Sequence, residues 1–184
     1  STPSLGDKTL WFVSKEGCYL LRVANSHTLF PAVSDEENNV KQGELLVAKL
    51  GKGATVTRLL DSSGDNVVAA LGRNKQARIP RNRIVFETGL VAVNEEGAEK
   101  FRRRVKDVES DVDVAGIWDF VADDQEPPSV DDIAELVWGD EAGMANRVAV
   151  VIQLDESPDY FKYRLGQYEP LPRSSVAEIV KKRK

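Results

Sequence analysis

GELLVAKLGKGATVTRLLDSSGDNVVAALGRNKQARIPRNRIVFE, residues 43 to 87, decides the fold. Its short β-prone runs are GELLVAKL, ATVTRLL, NVVAAL, QARIP and RIVFE, and between them lie GKG, DSSGD and GRNK, the residues of tight turns. About five short strands within some fifty residues can bury both faces only by curling. Residues 43–90 are therefore expected to form a small SH3-like β-barrel. Within the stretch, GRNKQARIPRNR (72–83) holds five cations, Arg73, Lys75, Arg78, Arg81 and Arg83, and no acid.

That basic island is set in an acidic chain. The 184 residues carry a net charge of −5. Residues 84–169 contain 8 basic against 21 acidic side chains, and only 72–83 and 170–184 are net positive. A polyanion can be attracted only locally, and the acidic stretch suits a basic partner. Composition is that of a globular protein, with 41% hydrophobic and 30% charged residues. No apolar run approaches the roughly 18 residues of a membrane span, so no membrane partner is expected. Cys18 is the only cysteine, which points to a reducing compartment, the cytoplasm or an organelle stroma. Ser1 in place of an initiator Met suggests processing, and the closing KKRK reads as the start of a linker.

Upstream, KTLWFV and CYLLRV around SKEG read as a hairpin, followed by TLFPAV and the polar break DEENN. Residues 1–42 are thus a β-rich extension. Downstream the period changes to that of helices. Phe101, Val105 and Val108 form one stripe, and Val114, Ile117, Trp118 and Val121 another, before QEPP interrupts. Residues 91–128 are read as a helical connection and first helix. Ser129 with Asp132 opens the next helix as a capping box, and Gly139 closes it. A helix over 141–153 with Met144, Val148, Val151 and Ile152 on one face, a hairpin from YFKYR and YEPLP, and a last helix capped by Ser175 and Glu178 complete the pattern. Residues 129–184 therefore read as a winged helix-turn-helix, and the chain as an α+β protein.

Catalytic chemistry finds little to work with. His27 is the only histidine, which with one cysteine excludes a Cys/His zinc site; any nucleophile would have to use His27 as its base, and in its strand-like stretch it reads as a lone surface or half-buried histidine. DVDVAG resembles the opening of a calcium loop, but Ala115 and Ala122 stand where ligands are required. The pairs Asp123/Asp124 and Asp131/Asp132 flank helix ends, where capping explains them. Trp11, Trp118 and Trp138 sit in apolar contexts and read as core. The candidate recognition helix has Arg147 as its one cation and acidic flanks, which argues against sequence-specific duplex DNA. Arg102, Arg103, Arg104 and Lys106 alternate with acids and read as a solvated helix face. The island at 72–83 is the candidate binding site: a barrel edge lined by arginine can hold phosphates without reading bases. Phe86 is the only aromatic close by, so stacking is weak.

PSVDDIAELVWGDE, the following helix, YFKYRLGQYEPLP and SVAEIVKKRK together resemble the N-terminal region of ribonuclease II (RNB) family exoribonucleases of the cyanobacterial, chloroplast and Deinococcus type. The likeness covers about residues 43–184 and is most specific over 131–172. It implies a small β-domain and a helix-turn-helix-like domain that precede, and dock on, a catalytic ribonuclease domain. Magnesium and the clustered aspartates of 3′-to-5′ hydrolysis belong to that catalytic domain, whose motif is absent from these residues, and no cofactor is expected in this chain. The resemblance makes the partner single-stranded RNA, with Arg73, Lys75, Arg78, Arg81 and Arg83 as RNA-binding residues. Two alternatives remain: a stand-alone protein–protein interaction module, and, with less support, a DNA-binding winged-helix regulator.

Overall fold

The computed structural model describes residues 9–14, 17–22, 41–51, 53–124 and 126–183. TLFPAV, the DEENN break and His27 lie outside them. The chain divides into two compact units, Ser1–Asn39 and Val40–Lys184. The first contains an antiparallel hairpin of β1 (Thr9–Ser14) and β2 (Gly17–Arg22), in register from Thr9 opposite Arg22 to Ser14 opposite Gly17.

The second unit opens with a five-stranded antiparallel sheet. Its strands are β3 (Glu44–Leu50), β4 (Gly53–Ser63), β5 (Asn66–Gly72), β6 (Lys75–Pro80) and β7 (Ile84–Val91), in spatial order β6-β5-β4-β3-β7. Between Pro80 and Ile84 lies only a 3₁₀ turn, Arg81–Arg83. In a flat sheet β6 and β7 would stand about 19 Å apart, four strand spacings. Four residue steps span at most about 14 Å. The short bridge therefore forces the sheet to coil, helped by irregularities in the β4–β5 and β3–β7 registers. Coiling gives two cores. Leu46, Ala48, Leu59, Val67, Ala69 and Ile79 are packed together on one face, each no more than 1% exposed. On the other face Leu45, Val47, Val56 and Val85 join the helices. The sheet does not close into a barrel: β6 and β7 are its unpaired ends. Gly43 starts it at φ 87°, where an added Cβ would lie 2.9 Å from the Ala92 carbonyl oxygen.

The helices are α1 (Glu95–Glu109), α2 (Val114–Val121), α3 (Val130–Trp138), α4 (Met144–Glu156) and α5 (Arg173–Arg183), with the hairpin β8 (Phe161–Arg164) and β9 (Gln167–Pro170) before α5. The expected capping box opens α3, where Ser129 and Asp132 exchange hydrogen bonds, and α2 has a cap that the sequence reading did not name, Asp113 accepting from the Gly116 N–H. Gly139 ends α3 at φ 65°. Ser175 is no cap: α5 begins at Arg173 and places Ser175 inside its first turn.

The largest departure from expectation is α4. Its sequence suggested one buried face, but Val148, Ala149, Val150, Val151, Ile152 and Leu154 are all buried, and only Glu156 of the whole helix is exposed. It lies in the centre of the unit, against α1 and α3 on one side and β3, β4, β7 and β8 on the other. Sheet and helices thus share one core. At its end Asp155, with a side chain 2% exposed, pairs with Lys49 at 2.6 Å and accepts a hydrogen bond from the Tyr168 hydroxyl at 3.4 Å. Burial, and then the Asp155 charge, push the Tyr168 hydroxyl far above its usual range, so it stays a donor.

Candidate nucleic-acid interface

The five cations of 72–83 are carried by three consecutive pieces of backbone. Arg73 lies in the β5–β6 turn, Lys75 and Arg78 on β6, and Arg81 and Arg83 on the 3₁₀ bridge. β6 is an edge strand, paired through Val67–Ile79 and Val68–Arg78 with β5 alone. Strand alternation places Ala77 and Ile79 in the inner core, so Gln76, Arg78 and Pro80 point outward. Lys75 has the opposite parity and is exposed at the strand start, opposite Gly72. From Lys75 to Pro80 the strip is about 17 Å long at strand spacing.

The five are not equivalent. Arg73, Lys75, Arg78 and Arg83 are exposed, and none forms an ion pair among the described residues. Arg81 is half-buried and occupied. Its Nε donates to the Gly64 carbonyl at 2.9 Å and its Nη2 to the Ser62 hydroxyl, while its backbone N–H donates to the Asp65 carbonyl at 2.9 Å. It clamps the β4–β5 turn to the bridge. Arg73 also differs, because it lines a cleft of about 530 Å³ together with Glu95, Glu96, Glu99, Lys100 and Arg103 of α1. The cationic strip is cleanest from Lys75 to Arg83. Phe86 is half-buried against the main core, where it cannot stack on a base.

A charged edge with a proline has a second physical use, because Lys, Arg and Pro on an unpaired strand discourage edge-to-edge association. The two uses are compatible: both need the cations free.

Elsewhere several arginines are committed, although Arg104 on α1 is exposed and forms no ion pair among the described residues. Arg102, read from sequence as part of a solvated face, has a side chain only 17% exposed and bridges α1 to the sheet. It donates to the Val56 carbonyl at 3.0 Å, the Ala70 carbonyl at 3.4 Å, Glu95 at 2.6 Å and Glu99 at 3.2 Å. Burial pushes the Glu95 carboxyl up, but hydrogen bonds and charge from Arg102 and Arg58 outweigh it and hold Glu95 below the usual range. Arg147 pairs with Asp131, and Arg173 pairs with Asp119 and Asp123 and stacks on Trp118 at 5.4 Å. Trp118 and Trp138 are half-buried, not fully core, and Trp118 donates to the Leu171 carbonyl at 2.7 Å.

Among the described residues no helix is long and apolar enough to cross a membrane, and no group of three or more His, Cys, Asp or Glu is placed to hold a metal ion. No family model matches the chain, nor does any curated protein or solved structure.

Proposed function

We propose that the chain is the RNA-handling N-terminal region of a ribonuclease II family 3′-to-5′ exoribonuclease, without a catalytic centre of its own. Four exposed cations without an ion pair among the described residues carry the reading: Arg73 in the β5–β6 turn, Lys75 and Arg78 on edge strand β6, and Arg83 on the bridge that follows. A row of cations without a partnered aromatic holds the backbone of single-stranded RNA and does not read its bases. The coiled five-stranded sheet supports the SH3-like reading of 43–90. The run α2, α3, α4, β8–β9 hairpin and α5 supports the winged helix-turn-helix reading of the later part. In that reading α4 is no recognition helix, because its side chains are used up in the core. The winged-helix part serves as a scaffold and a face for docking on a catalytic domain.

The test is fluorescence anisotropy of labelled single-stranded RNA against the chain at several salt concentrations, with duplex DNA as control. Binding that favours RNA and weakens with salt is the expected result. Equal binding to duplex DNA, or none to either, would remove RNA handling from the account. Arg81 is left unmutated in such a test, since its loss would loosen the β4–β5 turn.

A further inference from the structure

Where α2 meets α3, the surface exposes two large apolar side chains that line one groove. Phe120 is 71% exposed and Leu136 45%. They line a groove of about 500 Å³ whose floor includes Val121 and Ile133 and whose wall is Pro127–Pro128. Two successive prolines fix their own φ angles, so the wall is set before any ligand arrives.

The groove's charge is of one sign. Asp124, Glu126 and Asp132 line it, and among the described residues no cation does. Asp132 is occupied by Ser129, which holds its carboxyl below the usual range. Asp124 and Glu126 have no ion pair among the described residues. The nearby cations are already taken, Arg147 by Asp131 and Arg173 by Asp119 and Asp123.

We propose that this groove is a docking site for a cationic segment of a protein partner that carries an apolar anchor side chain. The anchor would fill the space beside Phe120 and Leu136, and its flanking Lys or Arg would meet Asp124 and Glu126. Nucleic acid and anionic lipid are disfavoured by the same acids. A two-fold contact with a second copy would set this rim against itself, like charge on like. The inference stands on the groove alone and does not depend on RNA binding.

The experiment is anisotropy of a labelled leucine–lysine peptide with amphipathic-helix spacing, titrated with the full chain, beside its leucine–glutamate analogue. The lysine peptide should bind and the glutamate analogue should not. Phe120→Ala should weaken binding about tenfold or more, the loss of one anchor contact. Asp124→Lys with Glu126→Lys should weaken it comparably. All three side chains lie on the surface of the loop and helix ends, and RNA affinity of the Phe120→Ala variant should match the parent. No binding, equal binding of both peptides, or a lysine peptide indifferent to Phe120→Ala would overturn the proposal. So would a dimer in sedimentation that Phe120→Ala dissociates, which would assign the groove to a second copy.

Discussion

Two sets of arginines in this chain have the same chemistry and opposite situations. On the helical side, Arg102, Arg147 and Arg173 each hold carboxylates, and Arg102 also ties α1 to the carbonyls of β4 and β5. On the β6 edge, Arg73, Arg78 and Arg83 stand exposed with no ion-pair partner among the described residues. The difference lies in what faces them. α1, α2 and α3 place acids within bonding reach of the first set, whereas residues 72–83 carry no acid, and Arg73 shares its cleft with Glu95, Glu96 and Glu99 without an ion pair to them among the described residues. A cation count cannot tell a binding surface from a set of crosslinks. Pairing can.

The comparison breaks most visibly if the edge set is reversed. Arg73→Glu, Arg78→Glu and Arg83→Glu together should lower RNA affinity on the order of a hundredfold at 0.1 M salt, since each phosphate contact carries a share of the counterion release. The thermal midpoint should stay near that of the parent. A large drop in the midpoint would mean that these residues, too, are structural.

Removing a crosslink should do the reverse. Arg102→Ala strips two carbonyls and two carboxylates of a donor at a largely buried site, and should cost about 2–3 kcal/mol in urea unfolding with little change in RNA affinity. Arg81 sits between the classes. Arg81→Ala should cost about 1 kcal/mol, while Arg78→Ala stays within about 0.5 kcal/mol of the parent.

The smallest effect is on pH. Glu95 is held below its ordinary value, so it contributes stability that is present above the unfolded carboxyl range and lost as pH falls through the depressed folded value. Stability followed from neutral to acid pH should therefore decline below about pH 4.5, and the decline should be shallower in Arg102→Ala. An unchanged slope in that variant would detach Glu95 from the arginine.

Much of the architecture was legible because it is written locally. Strands β3 to β7 are punctuated by glycine-bearing turns, and α3 announces its start through Ser129. α4 was half legible. VAVVI at 148–152 has no polar break, and a helix apolar all round is a buried one, but the single stripe through Val148 and Val151 hid that reading. The coil of the sheet was legible from strand count, and its cause, a three-residue bridge across the edges, only from the topology. The candidate site's cations could be picked out in the sequence, but which of them stand free could not. Arg81 meets Gly64 and Ser62 across the β4–β5 turn, and Arg102 meets Val56 and Ala70 far back in the chain. Such pairings depend on where the fold brings distant backbone. The acid-rimmed groove was invisible for the same reason: Phe120 and Leu136 meet only where the fold brings α2 and α3 together.

The central claim is that the free cations of the β6 edge, and not the paired ones, hold RNA. It is tested most directly by the salt dependence of single-stranded RNA binding in the parent chain and in the Arg73/Arg78/Arg83 charge-reversed variant. For four free cations the parent should show a log–log slope of about −3, near 0.7 per contact, and the variant, which keeps only Lys75, a slope no steeper than about −0.7. A variant whose slope and affinity equal the parent's would contradict the account and return the edge to a purely protective role.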